Sequence, residues 1–407
     1  MQPELAVGLP AVGAVCTAAL RRRPQAALAA GGALGLAGVA MIVLATPGLA
    51  SQQLGISLAL SAPSRALLIA AAAALALAVA LAPSRVPRAA VLTRGLAGLA
   101  GMAAIAAAPS VDVVVLVLLA LAALHAGLSG RRAFASRLRA PILAVALLAL
   151  ALAFARFEGP AILQRFAAVG LVAGLVAGIG LLPYIHEFDP EEAAAASPIA
   201  WIAFVGPLLA SVVLSRAQEV LPAEAGAAFG AMLIGLGLLN MAWGSVASWR
   251  TENGAAAWHY SFMADWGLAL CGFGLAVADG QAAALLVLYG IMLSRLPLYL
   301  WSRPALREKA PTDRPVNLLV AAVLAGSAPF AGFTARVLLL RGATQIYWPL
   351  ALVLAIGMLL WLPPSLRLGR SLGLPRGRQA LGVGIVLALN VAIGLYPQPV
   401  LSLAGLQ

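Results

Sequence analysis

The stretch of sequence that decides the fold is a proline and glycine motif inside a late apolar segment: Ala325-Gly326-Ser327-Ala328-Pro329-Phe330-Ala331-Gly332-Phe333-Thr334-Ala335-Arg336. The apolar segment spans residues 316–340, which is long enough to cross a bilayer as a helix. A proline inside a helix removes one hydrogen bond and clashes with the preceding turn. In lipid, the freed carbonyl groups must find partners inside protein or in a water-filled cavity. The sequence therefore predicts a broken membrane helix, with an arginine just beyond the break.

The composition of the whole chain is that of a membrane protein. Of its 407 residues, 63% are hydrophobic and 10% are charged, and the mean hydropathy is +0.99. A soluble chain of this length has no interior large enough to bury so much apolar surface. Alanine and leucine are abundant, which favours helices, and we find no sustained alternation of the barrel type. We expect an all-α polytopic membrane protein.

Breaks at charged and Pro/Gly-rich segments divide the chain into fourteen predicted spans. They are 5–20, 26–46, 65–83, 89–108, 111–129, 139–157, 161–183, 198–215, 226–247, 258–277, 281–301, 316–340, 345–364 and 380–396. Loops after odd-numbered spans hold 18 of the 26 basic residues, and loops after even-numbered spans hold 4. Because basic residues concentrate in cytoplasmic loops, this bias predicts both termini on the outer face of a bacterial-type plasma membrane. It also explains the net charge of +12 without a nucleic-acid partner.

The sequence offers no catalytic or metal site. Cys16 and Cys271 fall inside predicted spans far apart in sequence, and neither belongs to a CxxC or Cys/His cluster. We find no nucleophile–base pair and no phosphate-binding loop, so we expect no catalytic residue, no metal and no cofactor in this chain. Residues 1–4 lack a basic segment, so we do not expect a cleaved signal peptide.

Among the charged residues inside predicted spans, Asp265, Arg295 and Arg336 are the candidate ion-path residues. An unpaired carboxylate at the depth of Asp265 costs roughly 2.5–3.5 kcal/mol, so we expect it to face the bundle and contact Arg336 or Arg295. It either links helices structurally or belongs to an ion path. Each arginine either takes part in such a site or extends its side chain to the membrane interface.

A further candidate lies after Pro183, where His186 and Glu187 open an acidic cytoplasmic connection. Histidine can change its charge near neutral pH, so a point where protons are taken up is one interpretation. The other is a solvated loop that contacts a neighbouring subunit.

Several local patterns resemble one family of membrane proteins. Residues 326–333 are similar to its G-x-P-P-x-A-G-F motif, residues 260–267 to A-Y-S-S-I-A-x-x-G, and residues 394–397 to a closing G-L-Y-P. More loosely, Pro183 with His186 resembles P-F-H-x-W-x-P-D-A. The family comprises the antiporter-like subunits of respiratory complex I, of which the N-type is most similar, and the Mrp-type cation/proton antiporters.

The resemblance implies fourteen core helices and two inverted five-helix repeats, with broken helices at Pro183 and Pro329. It divides the chain into helices 1–3, the first repeat, the second repeat, and the last helix with its tail, at residues 1–88, 89–215, 226–364 and 380–407. It also implies partners: the other membrane subunits of a multi-subunit complex, within the lipid bilayer.

The proton-relay residues of this family are mostly replaced here. The resemblance places an acid in span five, where residues 119–122 have none, and lysines in spans seven and eight, near Gly178 and Leu208. Arg336 stands at the span-twelve lysine or glutamate, and Arg295 best matches the span-eleven polar position. A relay needs groups that take up and release protons, and the first half offers almost none within the membrane, so the path is incomplete at least there. Arg295 and Arg336 cannot relay a proton either, because guanidinium does not release its proton in proteins.

We therefore expect a membrane-arm subunit of a complex I-like energy-transducing complex, with a partial proton path or a role in structural coupling. Two alternatives stay open. One is a purely structural, non-conducting membrane subunit, and the other is a stand-alone secondary ion transporter in which Arg295 and Arg336 clamp an anion.

Overall fold

The computed structural model describes residues 3–48, 51–53, 56–80, 88–129, 134–156, 161–185, 199, 201–221, 223–302, 314–370, 373 and 375–406. The chain divides into two compact units. The first comprises residues 1–187, 192–222 and 403–405, and the second comprises 188–191, 223–402 and 406–407. The four-part division expected from the sequence remains a prediction.

The helices of the first unit follow the predicted spans closely. They are α1 (Pro3–Ala19), α2 (Pro24–Leu44), α3 (Ala62–Ala80), α4 (Arg88–Ala107), α5 (Val111–Ser129), α6 (Phe134–Arg156), α7 (Ala161–Ile179) and α8, which opens with the π-helical turn Trp201–Val205 and continues as Gly206–Val220. A short antiparallel hairpin of β1 (Ser51–Gln53) and β2 (Ile56–Leu58) lies between α2 and α3. The sequence analysis did not predict this hairpin, because two three-residue strands are too short to show an alternating pattern.

The second unit contains three helices that are each divided into two segments. Its elements are α9 (Ala223–Arg250), α10 (Gly254–Gly274), α11a (Ala278–Gly290), the π-helical turn Ile291–Arg295, α11b (Leu296–Ser302), α12a (Pro315–Ala325), α12b (Ala331–Ile346), α13a (Trp348–Leu360), α13b (Leu362–Arg370), α14 (Arg378–Leu395) and α15 (Gln398–Leu403). Each of the fourteen predicted spans contains at least one described helix. The all-helical polytopic membrane fold is confirmed.

Length and hydropathy support the membrane assignment. Ten described helices or continuous helix pairs are long and apolar enough to cross a bilayer, and three shorter apolar helices accompany them. Because an α-helix rises about 1.5 Å per residue, roughly 20 residues match the hydrocarbon thickness. Three described helices belong to neither group: α10, α12b and α15. Helix α10 carries Asp265 and several polar residues, which lower its hydropathy.

Some arginines that the sequence analysis placed in loops lie inside helices instead. Arg137 and Arg139 belong to α6, and Arg367 and Arg370 belong to the last turn of α13b. Arg137 is 2% exposed, so its side chain is buried within the first unit. Those predicted loop boundaries were wrong, because an arginine can belong to a helix: its side chain either extends to water from a terminal turn or, as at Arg137, is buried by packing.

Helix α7 ends just before the first predicted break. Gly180 adopts a φ of 90°, in the left-handed region where glycine carries no steric penalty. The Leu181 amide donates to the Val176 carbonyl over 3.0 Å, and the Tyr184 amide donates to the Leu181 carbonyl over 2.7 Å. Pro183 lies inside this turn, after a cis peptide bond. The first hydrogen bond is the Schellman arrangement, which satisfies a carbonyl at the helix end.

The same arrangement recurs between α12a and α12b. Gly326 has a φ of 65°, and the Ser327 amide donates to the Ala322 carbonyl over 3.0 Å. The Phe330 amide donates to the Ser327 carbonyl over 3.0 Å, and Pro329 again follows a cis peptide bond. The two breaks thus share a Gly-x-x-Pro pattern and its hydrogen bonds, which supports an internal repeat.

Close packing of α9 against α10 sets the position of the helix that carries Asp265. A Cβ atom on Gly244 would lie 2.6 Å from the amide nitrogen of Ala264. A Cβ atom on Gly267 would lie 2.5 Å from the amide nitrogen of Met241. Only glycine permits this approach of the two backbones, as is common where membrane helices pack through small residues.

Candidate functional site at the break in helix α12

An arginine–aspartate pair lies next to the break in α12. Asp265 projects from α10, and Arg295 projects from the π-helical turn between α11a and α11b. The Arg295 Nε and Nη2 atoms each donate to one carboxylate oxygen of Asp265, and Nη2 to Oδ1 measures 2.9 Å. The Arg295 side chain is 5% exposed, and the Asp265 side chain is 13% exposed. This two-point geometry is the strongest form of an arginine–carboxylate interaction.

The π-helical turn that presents Arg295 has a local cause. Pro297 follows it, and a proline inside a helix has no amide hydrogen to donate to the preceding turn. The π-helical turn Trp201–Val205 in α8 likewise precedes a proline, Pro207. Such single turns are frequent at functional sites because they redirect a side chain within a continuous helix.

Arg295 also stabilises the broken end of α12a. Its Nη2 atom donates to the Leu324 carbonyl over 3.2 Å, and the indole nitrogen of Trp361 donates to the same carbonyl over 2.6 Å. The guanidinium carbon lies 4.8 Å from the centre of the Trp361 ring, a cation–π contact. The last carbonyls of a helix lack partners within the helix and attract positive charge. The break therefore obtains its hydrogen bonds from α11 and α13, as expected of a break in lipid.

The second arginine, Arg336, approaches the break from the other side. It lies in α12b and is partly buried, and its guanidinium occupies the space where any residue but glycine at 326 would carry a Cβ atom. Its charge interacts with those of Asp265 and Arg295. Within the part of the chain that the structure describes, it forms no ion pair shorter than 4.0 Å. Arg336 therefore adds a positive charge beside a pair that is already neutral.

A small cavity joins these groups. It has a volume of about 40 Å³, and its polar lining residues are Asp265, Ser294, Arg295, Arg336 and Asn390. A volume of this size admits a few water molecules or one small ion.

The structure shows which arginine pairs with Asp265 and where the Arg295 side chain lies. The ion-pair partner of Asp265 is Arg295, one of the two arginines named as candidates. The interface interpretation of Arg295 was wrong, because its side chain is buried and held by three groups. His186 and Glu187 lie outside the described residues. Whether any of these residues lies on an ion path remains a prediction.

In the first unit, another tryptophan donates a hydrogen bond to a carbonyl group at the corresponding break. The indole nitrogen of Trp201, in α8, donates to the Gly178 carbonyl over 2.8 Å. Gly178 and Leu324 each lie two residues before the glycine of their break. The centre of the His125 ring, on α5, lies 5.3 Å from the centre of the Trp201 ring. Each break therefore has a tryptophan that donates to one of its carbonyl groups, with the Arg295 guanidinium against Trp361 and the His125 ring against Trp201.

The positions where the resemblance places lysines in the first unit are filled by apolar side chains. A Cβ atom on Gly178 would lie 2.7 Å from Leu209 and 3.7 Å from Leu118. Leu208, the other position, is fully buried, as are Leu118 and Leu209. An added lysine side chain at Gly178 would require these leucines to move, and a close-packed interior resists such movement.

Sequence reasoning did not identify Trp201, Trp361, Ser294 or the cavity. A tryptophan near the end of a membrane span ordinarily indicates an interfacial position. Nothing in the sequence distinguishes it from a tryptophan that donates to a helix-end carbonyl. The described residues contain no group of three or more His, Cys, Asp or Glu side chains that could hold a metal ion, and Cys16 and Cys271 are free thiols.

No protein-family model matches the sequence, and no curated protein sequence matches it. Solved structures do resemble the fold. A chain of the membrane-bound sulfane sulfur reductase, an archaeal respiratory membrane complex, aligns with a TM-score of 0.78 and 17% identity, over 97% of this chain and 76% of that chain.

Two further structures belong to other complexes. A chain of the Mrp complex from Dietzia sp. DQ12-45-1b aligns with a TM-score of 0.82 and 16% identity, over 99% of this chain and 52% of that one. A chain of respiratory complex I from Thermus thermophilus aligns with a TM-score of 0.78 and 15% identity, over 100% of this chain and 98% of that one. The chain therefore has the fold shared by membrane subunits of complex I, Mrp and related respiratory complexes, as the resemblance implied.

Proposed function

We propose that this protein is a membrane-arm subunit of a complex I-like, multi-subunit energy-transducing complex in a bacterial-type plasma membrane. The observation that carries the proposal is the fold likeness, which covers 97% to 100% of the chain in three respiratory and Mrp complexes. A likeness over the whole chain is expected of a subunit that occupies a similar place in an assembly. Both termini would lie on the outer face, in agreement with the distribution of basic residues. Redox cofactors would be held by partner subunits.

Within such a complex, the structure favours a role in coupling over complete proton conduction. The positions where the resemblance places lysines in the first unit are Gly178, which packs against Leu209 and Leu118, and Leu208, which is buried. At the break of the second unit, the positive charges are those of Arg295 and Arg336, which cannot pass on a proton. Fixed charges at a helix break can still shift a conformational equilibrium, because each state of the helix places its carbonyls differently around them.

A partial proton path through the second unit is the second candidate function. One observation favours it: Asp265 borders a cavity of about 40 Å³, which can hold water next to a carboxylate. A relay requires a group that accepts and releases protons, and Asp265 is the one lining residue of this cavity with a carboxyl group.

Purification from native membranes tests the proposal. A tagged chain should copurify with other membrane subunits in stoichiometric amounts, whereas recovery of the chain alone would contradict the proposal and favour the stand-alone transporter.

Reconstitution of the purified complex in liposomes then separates the two roles. With coupling alone, Asp265→Asn lowers the amount of assembled complex, because the buried Arg295 loses its counter-charge. With a partial path, the flux falls while assembly survives. Asp279→Asn is the matched control, because Asp279 also pairs with an arginine, Arg341, but at an exposed site.

A further inference from the structure

The cavity at the α12 break contains an uncompensated positive charge. Among the described residues that line it, three carry charges: Asp265, Arg295 and Arg336. Asp265 and Arg295 neutralise each other in their ion pair, which leaves the guanidinium of Arg336 as excess charge. An unpaired charge inside a protein is costly, so the cavity favours a negatively charged occupant.

Unused hydrogen-bond donors border the same cavity. The Nη1 atom of Arg295 and the hydroxyl group of Ser294 are both buried and have no hydrogen-bond partner among the described residues. Each residue is 4% exposed. Buried polar groups in proteins are nearly always hydrogen-bonded, so these two groups indicate a missing acceptor.

The backbone adds to the positive potential. Helix α12b begins at Ala331 with no side-chain cap, and its second residue, Gly332, lines the cavity. The first amides of a helix have no acceptor within the helix, and the helix dipole gives this end a partial positive charge. Gly332 packs against Gly326, because a Cβ atom on Gly332 would lie 2.9 Å from the Gly326 Cα atom, and the lack of a Cβ atom on Gly326 leaves room for the Arg336 guanidinium beside the cavity.

The size and charge of the cavity limit the class of ligand. A volume of about 40 Å³ is enough for one small ion. A cation is repelled by the excess charge. Loss of a proton cannot remove that charge, because arginine remains protonated in proteins. Water alone would satisfy the donors but would not neutralise Arg336.

We propose that this cavity binds a small inorganic monoanion of the halide class, such as chloride, between Arg336, the free Nη1 atom of Arg295, the Ser294 hydroxyl and the first turn of α12b. The anion neutralises the excess guanidinium and connects the two halves of the broken helix to α11. This site is independent of whether the protein conducts protons.

Radiolabelled chloride provides the direct test. The full chain, purified in detergent with gluconate as the only anion, should bind chloride saturably and with roughly one equivalent per chain, and bromide should displace it. Arg336→Met should abolish binding, because the net charge of the site becomes zero. Arg341→Met is the matched control: it removes an exposed arginine five positions later on the same helix and should bind chloride like the wild type.

Two further measurements keep the result interpretable if Arg336→Met folds poorly. Arg336→Lys retains the positive charge and should retain chloride binding. In the wild type, exchange of gluconate for chloride at constant ionic strength should raise the thermal midpoint, because a ligand that binds only the folded state stabilises it. Absence of saturable binding to the wild type, or full binding by folded Arg336→Met, would overturn the proposal.

Discussion

Replacement of Asp265 by asparagine tests whether the charge pair stabilises the second unit. In the wild type, one carboxylate faces two guanidinium groups, so the site carries one excess positive charge. In Asp265→Asn it carries two, and the buried Arg295 loses its counter-charge while keeping its contact with Leu324. Asparagine has nearly the same shape as aspartate, so the change in stability reports the loss of the negative charge and not a change in side-chain volume.

The expected size follows from the burial of the pair. Removal of one partner of a buried ion pair costs about 3–5 kcal/mol, because the remaining charge stays in a poorly solvated site. At about 1.4 kcal/mol per factor of ten, this loss lowers the ratio of folded to unfolded protein by roughly a hundredfold to several thousandfold. Because 13% of the Asp265 side chain is exposed and the side chain borders the cavity, we expect a loss of stability toward the lower end of this range.

Tryptophan fluorescence of the purified chain during unfolding in a detergent series measures this change. Asp279→Asn is the control: Asp279 is also 13% exposed, but its partner Arg341 is 63% exposed and stays solvated after the substitution. We expect that variant to unfold close to the wild type. The double variant Asp265→Asn/Arg295→Met should be more stable than Asp265→Asn alone, because the site returns to one excess charge.

Two results would refute this reasoning. One is an Asp265→Asn protein as stable as the Asp279→Asn control. The other is a double variant that loses the sum of both single effects, since independent contributions would mean that the two side chains do not stabilise each other.

Three further predictions follow from other parts of the structure. Gly326→Ala should lower the unfolding midpoint clearly, because a left-handed φ of 65° is unfavourable for alanine and the new methyl group displaces the Arg336 guanidinium; an unchanged midpoint would contradict the described turn. Trp361→Phe keeps an aromatic ring against Arg295 but removes the hydrogen bond to the Leu324 carbonyl, and should cost about 0.5–1.5 kcal/mol in the same unfolding assay; a larger loss would indicate a packing role instead. Reporter fusions after Arg23 and Lys309 should both report the cytoplasm, and an outer-face signal at both would reverse the predicted topology.

The helices and their breaks were predictable because their causes are local. A run of about 20 apolar residues spans a bilayer whatever it packs against, and every predicted span contains a described helix. A glycine followed by a proline inside such a run interrupts it through its own backbone geometry, as at Gly326 and Pro329. The prediction that charged residues avoid lipid rests on the same kind of argument and led to Asp265 and Arg295.

Only the tertiary structure decided which groups meet at the breaks. Both Arg295 and Arg336 were chemically suitable partners for Asp265, and the choice depends on the π-helical turn that directs Arg295 toward α10. The roles of Trp201 and Trp361 depend on carbonyl groups that come from other helices. These contacts join residues 23 to 37 positions apart in the chain, and no local rule of the sequence determines side-chain direction across helices. The sequence by itself thus determined where the helices lie and where they break, while tertiary packing determined how each break obtains its hydrogen bonds and its charge.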